Sequence, residues 1–111
     1  MMGKALNGLD IPLVKGTSGI LLIPEGESHR KPVINCIRCG KCISVCPMGL
    51  EPYLLMGLTE KELYDRLEIE KVTDCMECGS CSYTCPSNRP LLDYIRLGKN
   101  IVTKRIRSRI N

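Results

Sequence analysis

Residues 36–47 read CIRCGKCISVCP, and residues 75–86 read CMECGSCSYTCP. Each phrase spaces four cysteines as C-x2-C-x2-C-x3-C and closes on a proline, and together they hold all eight cysteines of the chain. No other feature limits the fold as tightly. The second phrase begins 39 residues after the first, with Gly79 repeating Gly40 and Pro86 repeating Pro47. Pro52-Tyr53-Leu54-Leu55 follows the first phrase and Pro90-Leu91-Leu92 the second. Proline suits the first turn of a helix, where its missing N–H costs nothing. Each half therefore predicts a cysteine loop leading into a helix.

Clustered thiols either bind metal or pair as disulfides, according to the redox compartment. The opening MMGKALNGLDIPLV has neither the apolar core nor the small-residue cleavage site of a secretory signal. The longest clear apolar run, Ile20–Ile23, is far too short to span a membrane. Both features point to a reducing compartment and to metal. With 111 residues and neither Phe nor Trp, the core must be built from Leu, Ile, Val, Met and four Tyr. A domain this small gains from a metal staple.

Zinc sites use cysteine pairs separated by a longer span, whereas two consecutive C-x2-C steps ending in C-x3-C-P form the bacterial ferredoxin run. A cubane presents four irons, each needing one soft thiolate. Three thiols at i, i+3 and i+6 on a looped backbone can converge on one cluster face, with loop N–H groups turned toward its sulfides. Gly40 and Gly79 are expected to remove a side chain where backbone and cluster come close. In two-cluster ferredoxins the fourth cysteine of such a run ligates the other cluster. This resemblance implies one [4Fe–4S] cluster on Cys36, Cys39, Cys42 and Cys85, and a second on Cys75, Cys78, Cys81 and Cys46.

Between the phrases, Thr59-Glu60-Lys61-Glu62 has capping-box spacing, and Leu63 and Leu67 follow at helical spacing, predicting a helix from Thr59 to about Glu70. No alternating strand pattern fits between Pro47 and Cys75. The expected fold is mainly α, an α-helical ferredoxin-like domain with an extended N-terminal arm, rather than the βαββαβ bacterial ferredoxin sandwich. Residues 1–35, punctuated by Gly and Pro with one candidate strand at Ile20–Ile23, read as the end of a preceding domain or an arm. Residues 36–97 form the two-cluster domain. Residues 98–111 form a basic tail, set off by Gly98 and expected to be a solvated or frayed helix end.

The formal charge is +4. Two thiolate-bound oxidised cubanes at roughly −2 each would bring the total to about 0, so the basic composition argues little for nucleic acid. Charge also separates the two phrases. Arg38 and Lys41 lie inside the first, Asp74 and Glu77 at the second, which predicts the higher potential for the first cluster. His29 reads as a loop histidine, and Tyr53, Tyr64, Tyr83 and Tyr94 as packing around clusters and helices.

Together, MMGKAL, KGTSGILLI, CIRCGKCISVCPMGLEP and CMECGSCSYTCPSNRPLLDYIRLGK resemble the C subunit of the Rnf electron-transport complex over about residues 1–99. The resemblance implies a peripheral protein on the cytoplasmic side of the bacterial inner membrane, held there by other subunits of a membrane-bound, ion-translocating ferredoxin:NAD oxidoreductase. Its FMN and NADH sites would lie upstream of the two-cluster domain, and no G-x-G-x-x-G fingerprint occurs here. The chain is thus expected to be a fragment that carries electrons but takes no small-molecule substrate itself. The rival readings are an iron–sulfur subunit of a heterodisulfide reductase or succinate dehydrogenase and, from another class, a zinc-stabilised nucleic-acid-binding module.

Overall fold

The computed structural model describes residues 6–110; the opening MMGKA stretch and Asn111 lie outside the described residues. Among the described residues, six helices follow in order: α1 (Glu25–Ser28), α2 (Lys41–Val45), α3 (Pro52–Glu60), α4 (Tyr64–Ile69), α5 (Ser80–Thr84) and α6 (Leu91–Ile110), with a 3-10 turn at Val72–Asp74. No strand occurs among them, so the helical expectation holds and the βαββαβ alternative does not. Ile20–Ile23 forms no strand, and all four side chains are exposed.

The core lies where α3, α4 and the 3-10 turn pack on α6. Along α6, Leu91, Leu92, Ile95, Gly98 and Val102 are buried, a helical stripe that meets Leu55, Met56 and Leu58 of α3. Leu67 and Val72 are fully buried between them. Each such aliphatic side chain contributes about 1.5–3 kcal/mol. Helices α2 and α5 are five residues each and pack on one another. They are too short to persist alone, so their position depends on this core and on whatever the cysteines bind.

Three expectations change. Pro52 does open α3, but Thr59 lies in that helix's last turn, buried, with its hydroxyl donating to the Leu55 carbonyl at 2.8 Å. It caps nothing, and Glu62 stands in a turn at φ 58 before α4 begins. Gly98 does not interrupt α6, which runs unbroken through the basic residues to Ile110. The basic end is partly tied down as well. Arg105 lies over the Tyr64 ring at 4.9 Å and pairs with Asp65, and Arg109 pairs with Glu68 at 2.9 Å. Finally, Tyr64 and Tyr94 pack against the core, but Tyr83 is 82% exposed.

Candidate metal centre

The two cysteine phrases fold alike, backbone angle by backbone angle. Arg38 and Glu77 occupy the same register and both adopt the left-handed region, at φ 56 and φ 57. A non-glycine residue there costs about 1–2 kcal/mol, so something must hold it. In each loop the residue's N–H reaches back to the first cysteine, with Arg38 N and Glu77 N each 3.4 Å from Cys36 Sγ and Cys75 Sγ. An arginine and a glutamate share this conformation, so the backbone donor to sulfur, not the side chain, is what the two loops have in common.

Gly40 and Gly79 follow at φ 76 and φ 80, opening α2 and α5 and bringing Cys42 and Cys81 onto the first turn of each. A Cβ at Gly40 would meet no protein atom within 4 Å. On the protein side, the glycine is required by its left-handed backbone. The repeat continues past the prolines: Gly49 at φ 67 matches Asn88 at φ 55, and asparagine is the side chain that best tolerates that region.

Cys46 and Cys85 end α2 and α5 in extended backbone, at φ −71 and φ −66. Because α2 packs on α5, each of these cysteines reaches the other half of the molecule. Cys36, Cys39 and Cys42 line a cavity of about 550 Å³ together with Cys85. Cys75, Cys78 and Cys81 line a second, narrower one of about 20 Å³ with Cys46. Among the described residues, no three His, Cys, Asp or Glu side chains stand close enough to share a single metal ion. Thiolates around one zinc sit about 4 Å apart. The donor chemistry suits two cubanes: four soft thiols at each cavity, with a backbone N–H turned to sulfur in each loop.

The two sites differ in burial. Cys36 and Cys39 are exposed, beside an exposed Ile37, whereas Cys81 is buried. Burial pushes the Cys81 thiol up to about 11, and pushes Cys42 and Cys75 up as well. Cys78 moves the other way, because the Ser80 hydroxyl 3.4 Å from its sulfur stabilises the thiolate.

Charge departs from the sequence expectation. Glu77 does not stand alone at the second site: Arg96 lies 3.4 Å and Lys99 3.8 Å from its carboxylate. Lys99 Nζ also donates to the Cys75 carbonyl at 2.6 Å. Both cations come from α6, one helical turn apart, and only that spacing hints at them in the sequence. Nothing in the sequence pattern singles out Ser87 either. It is buried and donates its hydroxyl to the Asn35 carbonyl at 2.9 Å, while its own carbonyl accepts from Ile34 N. The residue just after the second phrase thereby holds the approach to the first. His29 is exposed, 4.0 Å from Glu25, and lines neither cysteine cavity.

The family described as a 4Fe-4S dicluster domain matches residues 30–86, about half of the chain. Among characterised proteins, the C subunit of the Na(+)-translocating ferredoxin:NAD(+) oxidoreductase complex of Acetobacterium woodii is 44% identical over 99 residues, 89% of this chain and 22% of that protein. The C subunit of the proton-translocating ferredoxin:NAD(+) oxidoreductase complex of Clostridium ljungdahlii is 46% identical over 70 residues, 63% of this chain and 15% of its own length. The C subunit of the ion-translocating oxidoreductase complex of Rhodobacter capsulatus is 44% identical over 55 residues, half of this chain and 11% of that protein. The chain thus spans less than a quarter of each of these relatives.

Proposed function

The chain belongs to the 4Fe-4S dicluster domain family, and on that basis we propose that it relays single electrons through two [4Fe–4S] clusters. The observation that carries this is the grouping of eight thiols into two sets of four, each set drawing three cysteines from one phrase and one from the other. Bound there, the clusters supply one-electron redox chemistry. Cys36, Cys39, Cys42 and Cys85 hold the first and Cys75, Cys78, Cys81 and Cys46 the second. The N–H groups of Arg38 and Glu77 steady the first thiolate of each loop and spread its charge. The exposed Cys36 and Cys39 make the first site the one nearer an external donor or acceptor, while Cys81 and the α6 cations shield the second.

Similarity to these relatives supports a wider proposal. The chain is a segment of the C subunit of an Rnf-type complex that couples electron flow between ferredoxin and NAD to ion translocation. FMN and NADH are taken by parts of that protein outside this segment, and other subunits of the complex are its partners. No helix among the described residues is long and apolar enough to cross a membrane. Attachment to the cytoplasmic face of the bacterial inner membrane would then run through those partners. In this proposal residues 1–35 are the end of a preceding domain or an extended arm. Leu9, Leu21 and Leu22 are almost fully exposed there, and the contiguous apolar run Ile20–Ile23 supports contact with another surface.

Anaerobic reconstitution tests the cluster proposal. A brown chain with roughly eight irons and eight acid-labile sulfides supports it. A colourless chain with stoichiometric zinc would instead favour the zinc-stabilised module.

A further inference from the structure

The motif sequences alone give the second site an acidic flank and the first a basic one, so that the first cluster should be easier to reduce. The fold brings cations from elsewhere to that acidic flank. We propose that Lys99 and Arg96 of α6 tune the second cluster, raising its potential toward that of the first by neutralising Glu77 and placing a positive charge at the Cys75 backbone. This inference rests on the two-cluster proposal and adds to it the residues that match its two stations.

Four observations carry it. Glu77 lies inside the cysteine loop, and its own N–H reaches Cys75 Sγ at 3.4 Å. Its carboxylate is held by Arg96 at 3.4 Å and Lys99 at 3.8 Å. Lys99 is anchored a second time, by a 2.6 Å hydrogen bond to the Cys75 carbonyl, which fixes its ammonium beside a ligand residue. The side chains of Arg96 and Lys99 are only 21% and 26% exposed. Partial burial lowers the local dielectric, and these charges act more strongly than a surface pair would.

Helix α6 is rigid at this point, because Ile95 and Gly98 are buried on the neighbouring positions. At the first site the corresponding loop residue is Arg38, itself a cation, with no acidic partner among the described residues. Positive charge therefore reaches the first site from its own loop and the second from a helix. An added electron makes a cluster more negative, so a nearby fixed cation favours the reduced form. Two stations brought closer in potential pass an electron in either direction with little driving force.

The test is voltammetry of the anaerobically reconstituted chain, with the signal separated into one wave per cluster, the two overlapping where the potentials are close. Lys99→Gln is expected to move one wave to lower potential and leave the other in place. Glu77→Gln should move that same wave upward, and Lys99→Arg should restore it to near the wild-type position. Arg38→Glu should lower the other wave. An unmoved pair of waves in Lys99→Gln, or Lys99→Gln and Arg38→Glu acting on the same wave, overturns the inference. Should Lys99→Gln fail to assemble, Glu77→Gln decides, and an unmoved wave there overturns it equally. A wild-type chain that takes up no iron removes the two-cluster proposal itself, an outcome distinct from two intact clusters whose potentials ignore Lys99.

Discussion

Gly98 of α6 lies directly against Thr59 of α3: a Cβ built at Gly98 would stand 2.6 Å from Thr59 Oγ1 and 3.1 Å from Leu67 Cδ1. The Thr59 side chain cannot swing aside, since it is buried and its hydroxyl is committed to the Leu55 carbonyl. The helices that form the core can approach closely because position 98 carries no side chain.

Replacing Gly98 with alanine sets two effects against each other. Helix propensity favours alanine by about 1 kcal/mol. Overpacking a buried contact costs about 1–3 kcal/mol. The clash is at a fixed side chain, so the second effect should win, with a net loss of up to about 2 kcal/mol and a Tm lower by about 4–8 °C per kcal/mol. Thermal unfolding of Gly98→Ala checks this, and the double variant Gly98→Ala/Thr59→Ala should recover part of the loss.

Ser87→Ala should loosen the first site although Ser87 directly follows the second phrase. The variant leaves the Asn35 carbonyl without its 2.9 Å donor, next to Cys36. An unsatisfied, partly buried carbonyl costs about 1–3 kcal/mol. The expected result is faster loss of iron on exposure to a chelator, from one cluster before the other. Iron release that is unchanged would show that the tie does not matter to the site.

The helical class was legible in the sequence because Pro52 and Pro90 mark helix starts and no alternating pattern competes. The element boundaries were less so. Thr59-Glu60-Lys61-Glu62 satisfies a local capping rule, yet Leu55, Leu58 and Thr59 share a buried face that carries α3 on through Glu60. Local spacing lost to tertiary packing. The cysteines were legible one by one, since the run is specific. Lys99, Arg96 and Ser87 were not, because their roles depend on partners that only the folded chain brings near: Lys99 meets Cys75 across 24 residues, and Ser87 meets Asn35 across 52.

In the metal-free chain the thiols should not react alike. The lowered Cys78 holds more thiolate at a given pH, and the Cys81 thiol, pushed up to about 11 by burial, holds much less. At pH 8 a thiol raised to that value carries roughly a hundredfold less thiolate than an ordinary one. Timed alkylation with iodoacetamide, read by mass spectrometry of the peptides, should find Cys78 modified well before Cys81. The reverse order would contradict the described environments of the two sulfurs.

Crossed ligation, with three cysteines from one phrase and the fourth from the other at each cluster, is tested most directly by the iron content of two quadruple variants. Both carry Cys36→Ser, Cys39→Ser and Cys42→Ser, which empty the first site; one adds Cys85→Ser and the other Cys46→Ser. Crossed ligation keeps about four irons in the variant that adds Cys85→Ser and loses or destabilises them in the one that adds Cys46→Ser. The opposite result, with the remaining cluster surviving loss of Cys46 but not of Cys85, would contradict it.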